Sequence, residues 1–349
     1  MLTYSHPIVQ KDLEDINRIP LSIPEGSTIL VTGANGQIAT YIVYSLMYQV
    51  SQYRLDIHVI ALSRNQEKAE QLFQDFLQDS HFTLLIQDVC SPVTYPKKID
   101  YIFHFAGNAS PYYIVHDPVG IMKSNLLGTI NILELARKKD TRKVIFASTR
   151  EVYGDNKTES SLSEHSFGSI DCMDSRSCYP ESKRAAETLC KSYYLQYGVD
   201  FNTVRIAHTY GPGMKLENDG RVMADLLACT IQGRNIILKS KGEALRAFCY
   251  INDTIRGLFL VMQKGDPAEA YNLANETEEI NIRQLAELLL TSVPEKNLRI
   301  EFQIPEGQPA AYCNYERVKM NTRKIENLGW KPAISLKEGV MRTIKSFER

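Results

Sequence analysis

The 349 residues carry 40 Lys and Arg against 41 Asp and Glu, a formal net charge of −1, with 44% hydrophobic and 23% charged residues. That is the balance of an ordinary globular chain and argues against a nucleic-acid or anionic-membrane partner. No apolar run reaches the ~18 residues of a membrane span, and no signal-peptide core opens the chain. The seven cysteines (Cys90, Cys172, Cys178, Cys190, Cys229, Cys249 and Cys313) are odd in number and never spaced as CxxC. They read as reduced thiols of a cytoplasmic protein rather than as disulfides or a metal site.

Residues 1–26 form an N-terminal extension in which Val9–Ile16 predicts a short helix, ended by Pro20 and Pro24. From Ser27 onward strands and helices alternate. Thr28–Thr32 is a continuous β-branched apolar run, as a strand buried on both faces requires. A helix over about 37–48 follows, then a strand at Ile57–Leu62 and a helical stretch at Gln66–Leu77. Strands at Thr83–Ile86, Tyr101–Phe105, Lys143–Ala147 and Phe201–Ile206 alternate with helices near 119–138 and 179–197. This order predicts an α/β fold built on a doubly wound parallel sheet. Residues 27–210 read as the cofactor-binding domain with the catalytic residues. After Pro212 the alternation lapses, and 211–349 read mainly as a smaller C-terminal substrate-binding lobe, some segments of which return to the first domain.

Thr32-Gly33-Ala34-Asn35-Gly36-Gln37-Ile38-Ala39 sits between the first strand and the first helix of that alternation. Gly33 permits a tight turn, Gly36 lets a pyrophosphate approach the backbone, and Ala39 allows close helix–strand packing. Asn35, Gln37 and Ile38 complete the phosphate-binding turn, and the helix N-terminus adds amide donors. The second strand ends in Ser63-Arg64, with no acid for the ribose hydroxyls of NAD. The cofactor is expected to be NAD, with NADP left open by Ser63 and Arg64. Asp88 and Val89 follow the third strand at the adenine end. Ala106 and Gly107 follow the fourth, beside the nicotinamide and its ribose.

Ser148-Thr149-Arg150-Glu151 ends the fifth strand, and Tyr179-Pro180-Glu181-Ser182-Lys183 opens a helix. A tyrosine four residues before a lysine places both on one helix face. A nearby ammonium favours tyrosinate, so Tyr179 is expected to accept a proton near neutral pH, with Lys183 lowering its pKa. Thr149 is placed to hydrogen-bond the oxygen being oxidised.

These motifs, with His104–Pro111, Asn125–Thr129, Arg205–Gly213, Arg246–Asp253 and Leu328–Pro332, resemble the extended short-chain dehydrogenase/reductases. Within them the chain is similar to the epimerase/dehydratase group acting on nucleotide sugars. The resemblance runs from about Thr28 to Pro332 and implies a Rossmann domain carrying a substrate lobe. Arg176–Tyr179 and Asn218–Arg221 look like UDP-glucuronate decarboxylases in particular. It implies that Tyr179, Lys183, Thr149 and Glu151 are catalytic, and that Arg221 and Arg246 pair with the diphosphate. Ser110, Tyr113, His208 and Arg317 are implied at the sugar nucleotide, although the wider family most often carries asparagine at position 208.

Dehydratases of the group place an acid where this chain has Arg150, whereas Glu151 is kept as in the decarboxylases. The expected activity is oxidation at C4 of a nucleotide sugar followed by loss of a carboxylate. The alternatives are 4-epimerisation, then 4,6-dehydration. A non-catalytic NAD(P)-binding regulator is opposed by the retention of Thr149, Tyr179 and Lys183. The two long helices near 119–138 and 179–197 imply a homodimer.

Overall fold

The computed structural model describes residues 2–156, 159–217, 219–304 and 318–348. Seven parallel strands form the central sheet: β1 (Ser27–Thr32), β2 (Ile57–Ser63), β3 (Phe82–Ile86), β4 (Tyr101–His104), β5 (Lys143–Thr149), β6 (Phe201–Ile206) and β7 (Glu269–Leu273). Their spatial order is β7-β6-β5-β4-β1-β2-β3. All six residues of β1 are buried, because helices cover both faces of the sheet. Ile29, Val31, Phe103, Ile145 and Val204 point to one face, where they pack with helix α2 (Gln37–Tyr53). Leu30, Ile60, Ile102 and Phe146 point to the other, against α3 (Pro118–Lys139) and α4 (Cys178–Tyr197). On the first face α5 (Ile251–Lys264) also packs, with Phe259 edge-on to Phe103 at 5.8 Å.

Two elements depart from the periodicity reading. The helix expected over 37–48 continues to Tyr53 and stops at Arg54, whose φ of 54° is left-handed. The stretch expected over 66–77 is helical only at Gln66–Leu72, followed by a 3₁₀ turn at Gln74–Phe76. Beyond Pro212, β7 returns to the sheet and pairs with β6 from Glu269↔Asn202 to Leu273↔Ile206. Among the described residues no helix is long and apolar enough to cross a membrane.

The N-terminal extension packs on the body of the fold. Helix α1 (Pro7–Ile16) buries Val9, Leu13 and Ile16, and also the wholly buried Asp12. The Asp12 carboxylate accepts from Tyr41 Oη and Tyr250 Oη at 3.0 Å each and from Arg342 Nη1 at 2.7 Å. Arg342, on helix α6 (Leu336–Lys345), also pairs with Asp15 at 2.9 Å. Burial pushes the Asp12 carboxyl above its usual range, opposed by Arg342 and the tyrosine hydroxyls. One carboxylate thereby joins residues 12, 41, 250 and 342. Removing one partner of a buried pair costs about 3–5 kcal/mol, whereas replacing both with apolar groups costs far less. Arg342→Met is therefore expected to destabilise the protein by about 3 kcal/mol in urea denaturation, and Asp12→Leu/Arg342→Met by less.

Candidate active site

The carboxyl ends of the central strands open into a cleft of about 410 Å³, where the crossover from β1 to β4 splays the loops apart. The β1–α2 turn forms its floor. Gly33 has φ +66°, and a Cβ there would lie 2.8 Å from the Ala106 Cα and the Phe105 carbonyl. Gly36 caps α2, its amide donating to the Gly33 carbonyl at 2.9 Å. Thr32 Oγ1 accepts from the Phe105 and Ala106 amides at 3.1 Å each, locking the ends of β1 and β4 together. Behind it His104 bridges Thr32 and Thr129, and burial holds its pKa down near 3, so it stays neutral. Ile38 lines the cleft, while Gln37 reaches out of the turn to donate to the Gly211 and Pro212 carbonyls. A bare α-carbon against β4 and an open helix N-terminus fit a dinucleotide pyrophosphate.

Asn35 of the turn and the residues expected at the adenosine end, Ser63, Arg64, Asp88 and Val89, do not line this cleft. The Asn35 carbonyl accepts from Lys68 Nζ at 2.8 Å. Ser63 is buried and its hydroxyl turns back to the Asn65 backbone at 3.3 Å. Arg64 lies 4.0 Å from the Asp88 carboxylate, with both side chains largely exposed. Val89 is buried against Gly128 of α3, where a Cβ would come within 2.8 Å of it. A Cβ on Gly107 would meet Asn125 Oδ1 at 2.7 Å and Lys183 Nζ at 3.6 Å, so this bare position lets the loop lie over the lysine.

At the opposite end, β5 delivers Thr149 and α4 delivers Tyr179 and Lys183, all three buried and lining the cleft. Thr149 Oγ1 accepts from the Glu151 amide at 3.2 Å and stands beside the Tyr179 phenol, whose ionisation it favours. The expectation that Lys183 lowers the Tyr179 pKa is corrected by this geometry. Burial, reinforced by the Glu151 carboxylate, holds the phenol well above its usual value, while Thr149 and Arg221 oppose the rise. Lys183 instead donates to the Ala147 carbonyl at 2.8 Å and stands 4.8 Å over the Phe146 ring. Its own burial pulls it down to about 8, against the pull of Glu187.

Glu151 lies in the mouth of the site with 39% of its side chain exposed and Arg176 Nη2 at 3.9 Å. Desolvation by the cleft walls raises its carboxyl, and the Arg176 and Arg150 guanidinia limit the rise. Arg150 does not turn away: it lines the cleft and donates to the Val318 carbonyl at 3.1 Å. Arg221 forks onto Asp219 at 2.5 and 2.9 Å. His208, held at φ 48°, and Arg246 complete the wall. Two residues expected at the sugar nucleotide do not line the cleft. Ser110 is buried and donates to the Asp219 carbonyl at 2.8 Å, bracing the loop that carries Arg221. Tyr113 offers its ring to Lys215 Nζ at 5.2 Å. Arg317 and Asn218 lie outside the described residues. The sequence reading gave Arg176 no role, although its position three residues before Tyr179 was available as a signal; its approach to Glu151 is a product of the fold. Among the described residues no group of His, Cys, Asp or Glu is placed to hold a metal.

Comparison with known proteins agrees with this arrangement. Residues 29–274 match the profile of the NAD dependent epimerase/dehydratase family. UDP-glucuronic acid decarboxylase 1 of Danio rerio is 32% identical over 331 residues, covering 94% of this chain and 74% of that protein. UDP-glucuronic acid decarboxylase 6 of Arabidopsis thaliana is 32% identical over 313 residues, covering 89% of this chain and 86% of that one. Among solved structures, the dTDP-glucose 4,6-dehydratase DesIV of Streptomyces venezuelae, with NAD and TYD bound, superposes with a TM-score of 0.77 at 23% identity. The match covers 92% of this chain and 96% of that one. With the family profile matched across more than half its length, the chain belongs to the NAD-dependent epimerase/dehydratase family.

Proposed function

We propose that this chain decarboxylates a nucleotide-linked uronic acid, UDP-glucuronate foremost, after oxidation at the sugar C4. One observation carries this reading. The described cleft wall sets Thr149, Tyr179 and Lys183 beside a single carboxylate, Glu151, and four arginines, Arg150, Arg176, Arg221 and Arg246. In a chain of net charge −1, so cationic a pocket suits a ligand with more anionic groups than a diphosphate alone provides. The decarboxylases named above, at 32% identity, support it.

The Gly33–Ile38 turn would hold the pyrophosphate of NAD, Ser63, Arg64, Asp88 and Val89 its adenosine, and Ala106, Gly107 and Lys183 the nicotinamide ribose. The Asp88 carboxylate, 4.0 Å from Arg64, competes for the guanidinium that a 2′-phosphate would need, which favours NAD. NAD held by these residues would supply a hydride acceptor for oxidation at the sugar C4 and, once reduced, the donor for the return step. Tyr179 takes the C4 hydroxyl proton as the phenolate, an ionisation that Thr149 and Arg221 favour. A neutral Glu151 removes the share of the rise that its charge adds to burial. A ketone at C4 turns the C6 carboxylate into a leaving group: the C5–C6 bond breaks, carbon dioxide departs, and the electron pair passes into the C4–C5 enolate. Glu151, with its raised pKa, returns a proton to C5. Arg221 and Arg246 hold the diphosphate. The acid that 4,6-dehydration needs is replaced by Arg150.

We also infer a homodimer paired through α3 and α4, supported by the exposed Val119, Met122, Leu127, Leu195 and Tyr197 on these helices. Light scattering on a sizing column should then give twice the chain mass; a monomeric mass refutes the pairing.

Incubation with a panel of UDP-, dTDP-, GDP- and CDP-sugars should release carbon dioxide from UDP-glucuronate. An unchanged product mass with altered retention would replace this reading by epimerisation. Tyr179→Phe should retain NAD affinity while turnover falls at least roughly 100-fold. Lys183 is protonated below its pKa, so kcat/KM should fall as pH rises through about 8. An alkaline limb that stays near 10 would show that the lysine is not the controlling group.

A further inference from the structure

Of the four arginines on the described cleft wall, three have their guanidinium engaged by protein oxygens. Arg221 is forked on Asp219. Arg150 donates to the Val318 carbonyl at 3.1 Å, and Arg246 to the Leu245 carbonyl at 2.7 Å. Arg176 differs. Among the described residues its guanidinium makes no hydrogen bond, and its one ion pair is the 3.9 Å approach of Nη2 to Glu151 Oε2. Its side chain is only 20% exposed. Five donors in a planar fork are thus largely withdrawn from water with one distant oxygen to answer them. An under-satisfied cation of this kind gains most from a second carboxylate offered in bidentate geometry.

Its position narrows what that carboxylate is. Arg176 precedes Tyr179 by three residues and faces Glu151, whose amide is bonded to Thr149. If Thr149 and Tyr179 hold the C4 oxygen, as proposed above, the substituents next to C4 lie at this end of the cleft, where Arg176 faces Glu151. We propose that Arg176 recognises the C6 carboxylate of a nucleotide-linked uronic acid, taking it as a bidentate partner in place of Glu151. This assignment rests on the decarboxylase reading. The exchange strips Glu151 of its nearest counter-ion, and a carboxyl in a desolvating cleft then takes up a proton more readily. Arrival of the substrate carboxylate therefore loads the acid that C5 needs after carbon dioxide leaves. A neutral nucleotide hexose leaves Arg176 on Glu151 and forgoes that coupling.

The test measures affinity by calorimetry in the NAD-loaded Tyr179→Phe protein, which consumes no substrate. UDP-glucuronate and UDP-glucose are compared with Arg176 intact and with Arg176→Gln or Arg176→Lys. Arg176→Gln should weaken UDP-glucuronate roughly 10- to 100-fold, the range of a charged hydrogen-bonded contact. UDP-glucose should move by less than about twofold, which also certifies that the variant is folded. Arg176→Lys, a point charge without the fork, should recover part of the loss. Unchanged UDP-glucuronate affinity, or an equal loss for both ligands, overturns the assignment. If the unsubstituted enzyme releases carbon dioxide from UDP-glucuronate while Arg176→Gln binds it normally, the Arg176 role falls alone. If the unsubstituted enzyme neither binds nor decarboxylates it, the decarboxylase reading and this proposal fall together.

Discussion

The catalytic end of the cleft hangs on one ion pair. Glu187, one turn beyond Lys183 on α4, accepts from Ser148 Oγ of β5 at 2.5 Å and from both arms of Arg205 on β6 at 3.1 and 2.7 Å. Arg205 continues to Tyr153 Oη at 3.0 Å and the Glu164 carbonyl at 2.8 Å, and Tyr153 donates to Asn272 of β7 at 2.6 Å. Three strands and the helix bearing Tyr179 and Lys183 are thus registered by a single carboxylate. Such a network is costly to leave half made, which is what gives it a unique geometry. The negative charge one turn away is also what keeps a proton on the buried Lys183.

The same low-polarity setting drives the pKa values of the two central groups, Tyr179 and Lys183, apart. Burial favours the neutral form of either, so the phenol rises and the ammonium falls. Proximity in sequence does not decide which group governs the tyrosine. The Lys183 ammonium is committed to the Ala147 carbonyl, and the charge that acts most on Tyr179 is Glu151. Proton traffic at Tyr179 is therefore coupled to the state of Glu151, and through it to the guanidinia of Arg150 and Arg176.

The two halves of the chain are held together well away from the chemistry. Gln37, at the first turn of α2, binds the Gly211 and Pro212 carbonyls. Asp12 gathers α1, α2, α5 and α6 around one buried charge. Ser110 and Tyr112 hold the Asp219 carbonyl, so the loop presenting Arg221 is fixed from behind. Ser110, implied at the ligand, braces the loop behind the wall, and Gln37 both lines the cleft and ties its helix to the Gly211 and Pro212 carbonyls.

The alternation of buried runs determined the first six strands and their parallel order, because a strand covered on both faces writes its burial into every residue, as β1 does. The Gly33–Gly36 turn and the Tyr179–Lys183 pairing on one helix face were equally legible, since each depends on local spacing alone. What only the tertiary structure decided lies at long range. β7 is five residues, Glu-Ala-Tyr-Asn-Leu, too short to declare itself, and becomes a strand by pairing with β6. Arg176 reads as one more surface arginine until folding brings it to Glu151, and the rise in the Tyr179 pKa follows from burial that no spacing encodes. Periodicity reports which way a side chain points from its own backbone. Which charges then share a cleft, and how much water they keep, is set by packing between segments far apart in the chain.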